Sequence, residues 1–331
     1  MQNRRVVLAS RPQGPARIEN FRIESAPMPV PGAGEVLVRN LWLSLDPYMR
    51  GRMSDAKSYA AGVALGEVMV GQTVGEVLES RDPRLHPGDK VLTSLGWQLY
   101  GTDRADALER IEPAGVPLSS YLGVLGMPGY TAYFGLNEVG QPRPGETVVV
   151  SAASGAVGSV VGQLAKIRGC RAVGIAGGRE KCDYVVNELG FDACVDYKAG
   201  NLYRDLKAAC PDGVDVNFEN VAGVVLDTLL RLMNRNSRIV LCGLISDYSA
   251  AEPYGYRMMR SVLINRITLR GILVFDWQAR YGEAQKALSG YLAEGRIRYR
   301  ESILEGLAEA PRGLIELLAG GNFGKQLVRL A

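Results

Sequence analysis

Apolar and polar positions change rhythm about a third of the way along this chain. From about residue 20 to 110 the apolar runs are short, alternating and cut by glycine and proline: FRIESA, GEVLVRNLWLSL, GQTVGEVLES and GDKVLTS. Period-two alternation between turn residues predicts β-strands, and the absence of helical stretches between them predicts a small antiparallel barrel or sandwich. After GMPGYTAYFGL the pattern lengthens. From Glu146 onward, compact strand-like runs (ETVVVSA, RAVGIAG, ACVDY, VDVNFENV, SRIVLCGL and TLRGILVF) alternate with longer helical stretches. That βαβ alternation predicts a mostly parallel, doubly wound sheet with helices on both faces, so the fold class is α/β with a second, β-rich part.

The first helix of this half can be traced in detail. Val157, Val160, Val161, Leu164 and Ile167 recur on one helical face, Gly158 and Gly162 allow that face to lie close to the sheet, and Gly169 stops it. A last long helix is expected over about Gln278 to Glu294, stopped by Gly295, followed by a terminal strand in GKQLVRLA that returns to the first domain. At 331 residues the chain exceeds the roughly 250 to 300 residues at which single cores stop growing, so two domains are expected.

Composition narrows the function classes. With 47% apolar and 22% charged residues the chain reads as a soluble globular protein. A net charge of +3 without any run of like charges argues against nucleic acid and against a membrane surface. No run approaches the ~18 apolar residues of a membrane span, and MQNRRVVLASRPQGP lacks a secretory apolar core; a cytoplasmic location is expected. The five cysteines form no C-x-x-C pair and read as reduced thiols.

VVVSAASGAVGS places Ala153, Gly155 and Gly158 at G-x-G-x-x-G spacing between a strand and a helix. Glycine is needed chiefly in the second slot, Gly155, where a side chain would keep a pyrophosphate from the helix N-terminus. The next strand, RAVGIAG, ends about 20 residues further on, where an acidic residue would hold the ribose 2′-hydroxyl of NAD. No carboxylate occupies that tip. Arg179 and Lys181 follow instead, and such cations would repay a 2′-phosphate, which points to NADP. Catalytic zinc needs about three protein ligands; the only histidine, His86 in HPGDKV, sits in a turn, so no metal is expected. A proton donor must then be Tyr, Lys, Cys, a carboxylate or water.

LSLDPYMRGRM, LGEVMVGQTVGEVLES, GMPGYTAYFGL, SAASGAVGSVVGQLAK, GREKCDY, ENVAG, LCGLISDY and GNFGKQLV together resemble the zinc-free medium-chain dehydrogenase/reductase superfamily. Within it the likeness is to the leukotriene B4 dehydrogenase/prostaglandin reductase group, which includes bacterial curcumin reductases and plant double-bond reductases, and it runs nearly end to end. The resemblance implies a GroES-like catalytic domain over residues 1–124 and 295–331, a Rossmann domain over 125–294, and a homodimer. It implies NADPH-dependent reduction of the carbon–carbon double bond of α,β-unsaturated aldehydes and ketones. By the same resemblance Gly155, Ala156, Val157 and Gly158 cradle the pyrophosphate, while Gly178 and Lys181 meet the 2′-phosphate end. Tyr197 flanks the adenosine, and Asn220 lies along the cofactor. Cys242, Gly243, Ile245, Ser246 and Tyr248 line the nicotinamide side, and Ile272, Leu273, Val274 and Asn322 make further cofactor contacts. Two departures from the family pattern, Ser249 after the second tyrosine and YAAGVALGEVM in place of a proline-rich stretch, bear on substrate shape.

Hydride addition to the β-carbon of an enone leaves negative charge on the carbonyl oxygen, so a donor must be aimed at that oxygen. Tyr248, near the carboxyl end of a sheet strand, is the first choice for this role and Tyr48 the second, with Arg50 and Tyr59 as further substrate-side residues. An NADPH quinone oxidoreductase of the same superfamily and a non-catalytic NADPH-binding redox sensor are the competing readings; a zinc alcohol dehydrogenase is the weakest.

Overall fold

The computed structural model describes residues 2–112, 115–250 and 252–331, and every count below is of these described residues. They divide into two compact units: the chain up to Leu122 with Glu301–Asn322 and Gln326–Ala331, and Gly123–Arg300 with Phe323–Lys325.

In the first unit, β1 (Asn3–Leu8) pairs antiparallel with β2 (Phe21–Ala26). The spine is β3 (Glu35–Ser44), whose length lets it serve several partners. One edge carries β4 (Thr73–Ser80), which in turn carries β5 (Lys90–Thr93) and then β7 (Glu109–Ile111). On the other edge, the first half of β3 pairs with β6 (Tyr100–Arg104). A short helix, α1 (Tyr48–Arg52), follows β3 and buries Met49 beside Leu43, Leu45 and the fully buried Trp97. Trp97 stacks on Phe21 with ring centroids 5.5 Å apart. The alternating runs of the sequence are all strands here. β1 escaped notice because its apolar residues Val6, Val7 and Leu8 are masked by Arg4 and Arg5, and Arg5 reaches across to Glu24 at 3.2 Å.

The second unit opens with α2 (Met127–Phe134). Pro128 stands in its first turn, where a missing N–H leaves no bond unmade, so it begins a helix rather than breaking one. Six parallel strands follow: β8 (Thr147–Ser151), β9 (Arg171–Ala176), β10 (Ala193–Asp196), β11 (Val214–Glu219), β12 (Met233–Leu241) and β13 (Thr268–Gly271). Their spatial order is β10-β9-β8-β11-β12-β13. The connecting helices are α3 (Gly158–Ile167), α4 (Arg179–Asn187), α5 (Leu202–Ala209), α6 (Gly223–Leu229) and α7 (Arg260–Asn265). Strands covered on both faces carry near-continuous apolar runs, and β8, with three valines between Thr147 and Ser151, is buried throughout.

TLRGILVF is strand only over Thr268–Gly271. Beyond it, tight 3₁₀ turns run from Val274 to Arg280 with an irregular Trp277, and α8 (Tyr281–Ala293) starts three residues later than the expected Gln278. Aromatic packing accounts for the delay: Trp277 stacks on Phe134 at 5.8 Å, and Tyr281 lies 4.8 Å from Tyr130. The chain then gives β14 (Glu301–Glu305), α9 (Ala310–Leu318) and β15 (Lys325–Arg329). β15 pairs antiparallel with the second half of β3, completing the order β14-β15-β3-β4-β5-β7 in the sheet of the first unit. No described helix is long and apolar enough to cross a membrane.

The expected approach of α3 through its glycines has a specific partner. A Cβ on Gly162 would stand 1.8 Å from Cζ of Phe191, a buried ring in the turn before β10. Gly162→Ala is therefore expected to destabilise the protein by ~1 to 3 kcal/mol through overpacking, read as a lower denaturation midpoint; an unchanged midpoint would show that the ring yields freely.

Candidate active site

The strand order reverses at β8, which has β9 on one side and β11 on the other. Loops leaving the carboxyl ends of β8 and β11 therefore diverge to opposite faces and leave a crevice between them, the usual ligand position in such sheets.

The loop after β8 is built around close backbone contacts. Ala152 takes a left-handed conformation (φ 50°) and its carbonyl accepts the Gly155 N–H at 2.9 Å. A Cβ on Gly158 would lie 2.4 Å from that carbonyl oxygen, so glycine is obligatory there for the turn itself. At Gly155 a Cβ would meet only the same oxygen, at 3.2 Å, with open space otherwise. Motif spacing puts the chief glycine requirement at Gly155. Within the protein the tighter constraint falls on Gly158, and Gly155 matters for what approaches from outside. Alanine in the first slot is accommodated by the neighbouring strand: a Cβ on Gly174 would come within 2.8 Å of Ala153 Cβ. Gly155, Ala156 and Val157 lead directly into α3, and no side chain caps its first N–H groups. Gly324 donates its N–H to the Ser154 carbonyl at 3.1 Å, bringing the segment Phe323–Lys325 against this loop, a contact that no local motif announced.

At the tip of β9, Asp196 organises the turn by accepting the N–H groups of Gly178 and Lys198 on one oxygen, at 2.8 and 2.9 Å. Gly178 has φ 101°, which only glycine adopts readily. Gly177 must also be small, because a Cβ there would lie 2.8 Å from the Tyr197 ring and 2.9 Å from Lys198 Cε. Tyr197 is half exposed, with the Lys198 ammonium 5.8 Å from its ring centre. Of the two expected cations, Arg179 is exposed and lies 3.5 Å from Asp183 on its own helix, and Lys198 acts electrostatically on Lys181. Burial first, and then the like charge of Lys198, lower the pKa of the Lys181 ammonium below its ordinary value. The Glu180 carboxylate acts in the opposite sense, favouring the charged form.

Asn220, just past β11, donates its backbone N–H to Ser151 Oγ and its side-chain amide to the Ser151 carbonyl, each at 2.7 Å. The loop after β12 runs alongside: Cys242 and Gly243 donate to the Glu219 carbonyl at 2.9 and 3.1 Å, Ile245 to that of Asn220 at 3.3 Å, and Ser246 to that of Val221 at 3.0 Å. Tyr248 closes this loop, its hydroxyl accepting the Leu244 N–H at 3.4 Å. The Cys242 thiol is pushed up to about 12 by burial, with the Glu219 carboxylate adding to it, so it is neither a nucleophile nor an acid near neutrality. Ile272 donates to the Leu241 carbonyl at 3.1 Å; Ile272 and Val274 are buried while Leu273 is exposed. Ser151 was missed from the sequence because a strand-final serine carries no signal of its own.

In the first unit, Tyr48 and Tyr59 share one cation, the Arg52 guanidinium lying 5.9 and 5.5 Å from their ring centres. Burial raises the Tyr48 phenol well above its ordinary value, and the Asp46 charge raises it further, so Tyr48 remains a hydrogen-bond donor. Arg50 is buried and donates to the Gly14 carbonyl at 2.6 Å, turned to the chain's own backbone. Asn322 belongs to this unit and immediately precedes Phe323 of the other.

An anionic dinucleotide fits the second unit: an uncapped helix start, a glycine whose missing Cβ leaves space, and a lysine whose charge is disfavoured until an anion arrives. A metal does not find ligands so readily. His86 lies in a turn closed by Asp89, and no group of three His, Cys, Asp or Glu stands together among the described residues. All five cysteines are free thiols; Sγ of Cys194 donates to Sγ of Cys182 at 3.0 Å.

Comparison with known proteins places this geometry. Residues 4–111 match a family described as the N-terminal domain of oxidoreductase, and residues 156–290 one described as zinc-binding dehydrogenase. The chain is 49% identical to the NADPH-dependent curcumin reductase of Escherichia coli K12, covering 100% of this chain and 97% of that one. It is 41% identical to the NADP(+)-dependent 2-alkenal reductase of Nicotiana tabacum, covering 100% and 98%. The solved structure of CurA from Vibrio vulnificus in complex with NADPH superposes with a TM-score of 0.95 at 47% identity, covering 99% of each chain.

Proposed function

The chain belongs to the zinc-free medium-chain dehydrogenase/reductase family, in the group of curcumin, alkenal and prostaglandin reductases, and from that premise we propose that it reduces the carbon–carbon double bond of α,β-unsaturated aldehydes and ketones with NADPH. The observation that carries this reading is the strand tip after β9, where Lys181 stands with its charge disfavoured by burial and by Lys198, in a chain closely similar to NADPH-dependent reductases.

In this reading the Gly155–Gly158 loop and the start of α3 bind the pyrophosphate, and Gly178, Lys181 and Tyr197 bind the phosphorylated adenosine end. Asn220 and the Cys242–Ser246 loop flank the remainder, with Ile272, Leu273, Val274 and Asn322 as further contacts. Bound NADPH supplies a hydride to the electron-poor β-carbon. The residues of the chain then have two tasks: holding the enone, and placing a donor at its carbonyl oxygen as charge develops there. The Tyr248 hydroxyl is the donor, held by the Leu244 N–H. Tyr48, kept protonated by burial, binds the substrate together with Tyr59. Arg50, which orders the backbone around Gly14, is assigned to the same substrate side. The catalytic domain is assigned to residues 1–124 and 295–331, the cofactor domain to 125–294, and the location to the cytoplasm. Two copies pair through β13, an edge strand exposed at all four residues, flanked in sequence by the exposed Leu263 and Ile264 of α7.

The deciding experiment follows loss of nicotinamide absorbance with 2-alkenals, cyclic enones and benzoquinones. Turnover of enals and enones is expected; turnover of benzoquinones alone would make the protein a quinone reductase, and binding without turnover a sensor. With an enal substrate, Tyr248→Phe is expected to lower kcat by ~10²-fold with little change in NADPH affinity; equal turnover would remove Tyr248 from the reaction. Lys181→Ala is expected to lose ~1.5 to 3 kcal/mol of NADPH binding and none of NADH binding. Because only the ammonium attracts phosphate, NADPH affinity in the parent falls as pH rises through the lowered pKa of Lys181, and the alanine variant loses that slope. Parallel loss of both cofactors would make the lysine structural.

A further inference from the structure

Glu219 ends β11 and is fully buried at the point where the sheet reverses. Its side chain accepts four hydrogen bonds. One oxygen takes Ser151 Oγ–H at 2.5 Å, the Val221 N–H at 2.8 Å and the Ala222 N–H at 2.9 Å; the other takes the Asn217 amide at 2.9 Å. Ser151 Oγ passes the connection on by accepting the Asn220 N–H, and the Glu219 carbonyl accepts Cys242 and Gly243. One residue thus joins the carboxyl ends of β8, β11 and β12.

The segment it holds is strained. Ala222 is fully buried at φ 69° and ψ −149°, a backbone region that essentially only glycine occupies, and Gly223 follows at φ 55°. Such a conformation persists only where its surroundings over-determine it. Two contacts do so here. The Ala222 N–H is tied to the Glu219 carboxylate, and Val221 is tied through its carbonyl to both the N–H and Oγ of Ser246, at 3.0 and 2.7 Å. A Cβ on Gly223 would lie 2.8 Å from Ser246 Oγ, so the turn and the loop after β12 have no slack between them.

We infer that Glu219 is a positioning residue: its carboxylate holds the Val221–Gly223 turn in its strained form, and that turn fixes Asn220 and the Cys242–Ser246 loop in the arrangement that receives the dinucleotide. The ligand in this statement rests on the NADPH reading above. The positioning itself is a property of the chain alone. Without the carboxylate, alanine leaves the glycine-only region, the turn relaxes, and the two loops lose register. If the backbone at 222 could hold the turn unaided, the carboxylate would be dispensable.

Glu219→Gln, Ala222→Gly and the double variant test this in the full-length protein, with two readouts. Amide hydrogen exchange without cofactor is expected to quicken over residues 217–223 and 242–246 in Glu219→Gln and to return toward the parent rate in the double variant. Fluorescence titration is expected to give an NADPH dissociation constant raised about tenfold in Glu219→Gln, with kcat at saturating NADPH lowered less than threefold, and affinity within threefold of the parent in the double variant. Should Glu219→Gln not fold, a folded double variant with near-parental exchange supports the inference, and an unfolded or weakly binding one overturns it. Parental exchange and affinity in Glu219→Gln, or recovery of thermal stability without recovery of exchange and affinity in the double variant, would also overturn it. If the parent itself fails to bind NADPH, the cofactor reading falls while the exchange pattern still decides the role of Glu219.

Discussion

A single reversal of strand order governs the second unit. Because β8 has β9 on one side and β11 on the other, the chain leaves its carboxyl end toward one face and leaves β11 toward the opposite face. No crossover covers the gap. Apart from Asn322, the polar groups assigned to the dinucleotide arise within a few residues of a strand end on that rim: the glycine loop after β8, Lys181 after β9, Tyr197 after β10, Asn220 after β11 and Cys242 to Tyr248 after β12. The sheet supplies rigidity, and the chemistry sits in the turns leaving it.

Those turns are stiff for different reasons. After β8 the limit is steric, since Gly158 faces a carbonyl oxygen with no room for a Cβ. After β9 it is a carboxylate, Asp196, drawing two N–H groups onto one oxygen. After β11 it is a buried carboxylate opposed by a strained backbone. In the proposed reading electrostatics favour a phosphate: burial and a second lysine disfavour the charge on Lys181, and a dianion would stabilise it. On the other unit, burial of Tyr48 works in the reverse sense, keeping a phenol neutral.

The strands were legible because each carries a simple pattern: alternation in β2 to β5, and compact apolar runs within β8 and β9 and at the end of β12. Where the pattern was diluted, legibility failed. Two arginines hid β1, and the aromatic contacts of Trp277 and Tyr281 with α2 shortened β13 and delayed α8. In the candidate site, glycine spacing located the tight turn after β8, and the missing acidic strand tip drew attention to Lys181. Arg179, also expected there, stays exposed and reaches Asp183 one helical turn on. Lys198 was missed because it lies on the next strand connection, 17 residues from Lys181 along the chain and beside Gly177 only in space.

The sequence by itself determined most of the elements, the βαβ winding, the glycine loop and the presence of cations beyond the second strand's tip, because these depend on local sterics and on residues close in the chain. Tertiary structure alone decided that Lys198 lies beside Gly177 at the strand tip, that Gly324 seals the loop at Ser154, and that Glu219 gathers three strand ends around a strained alanine. Those facts rest on groups brought together by sheet pairing across long separations, and burial gives their hydrogen bonds and charges a weight that no linear pattern encodes.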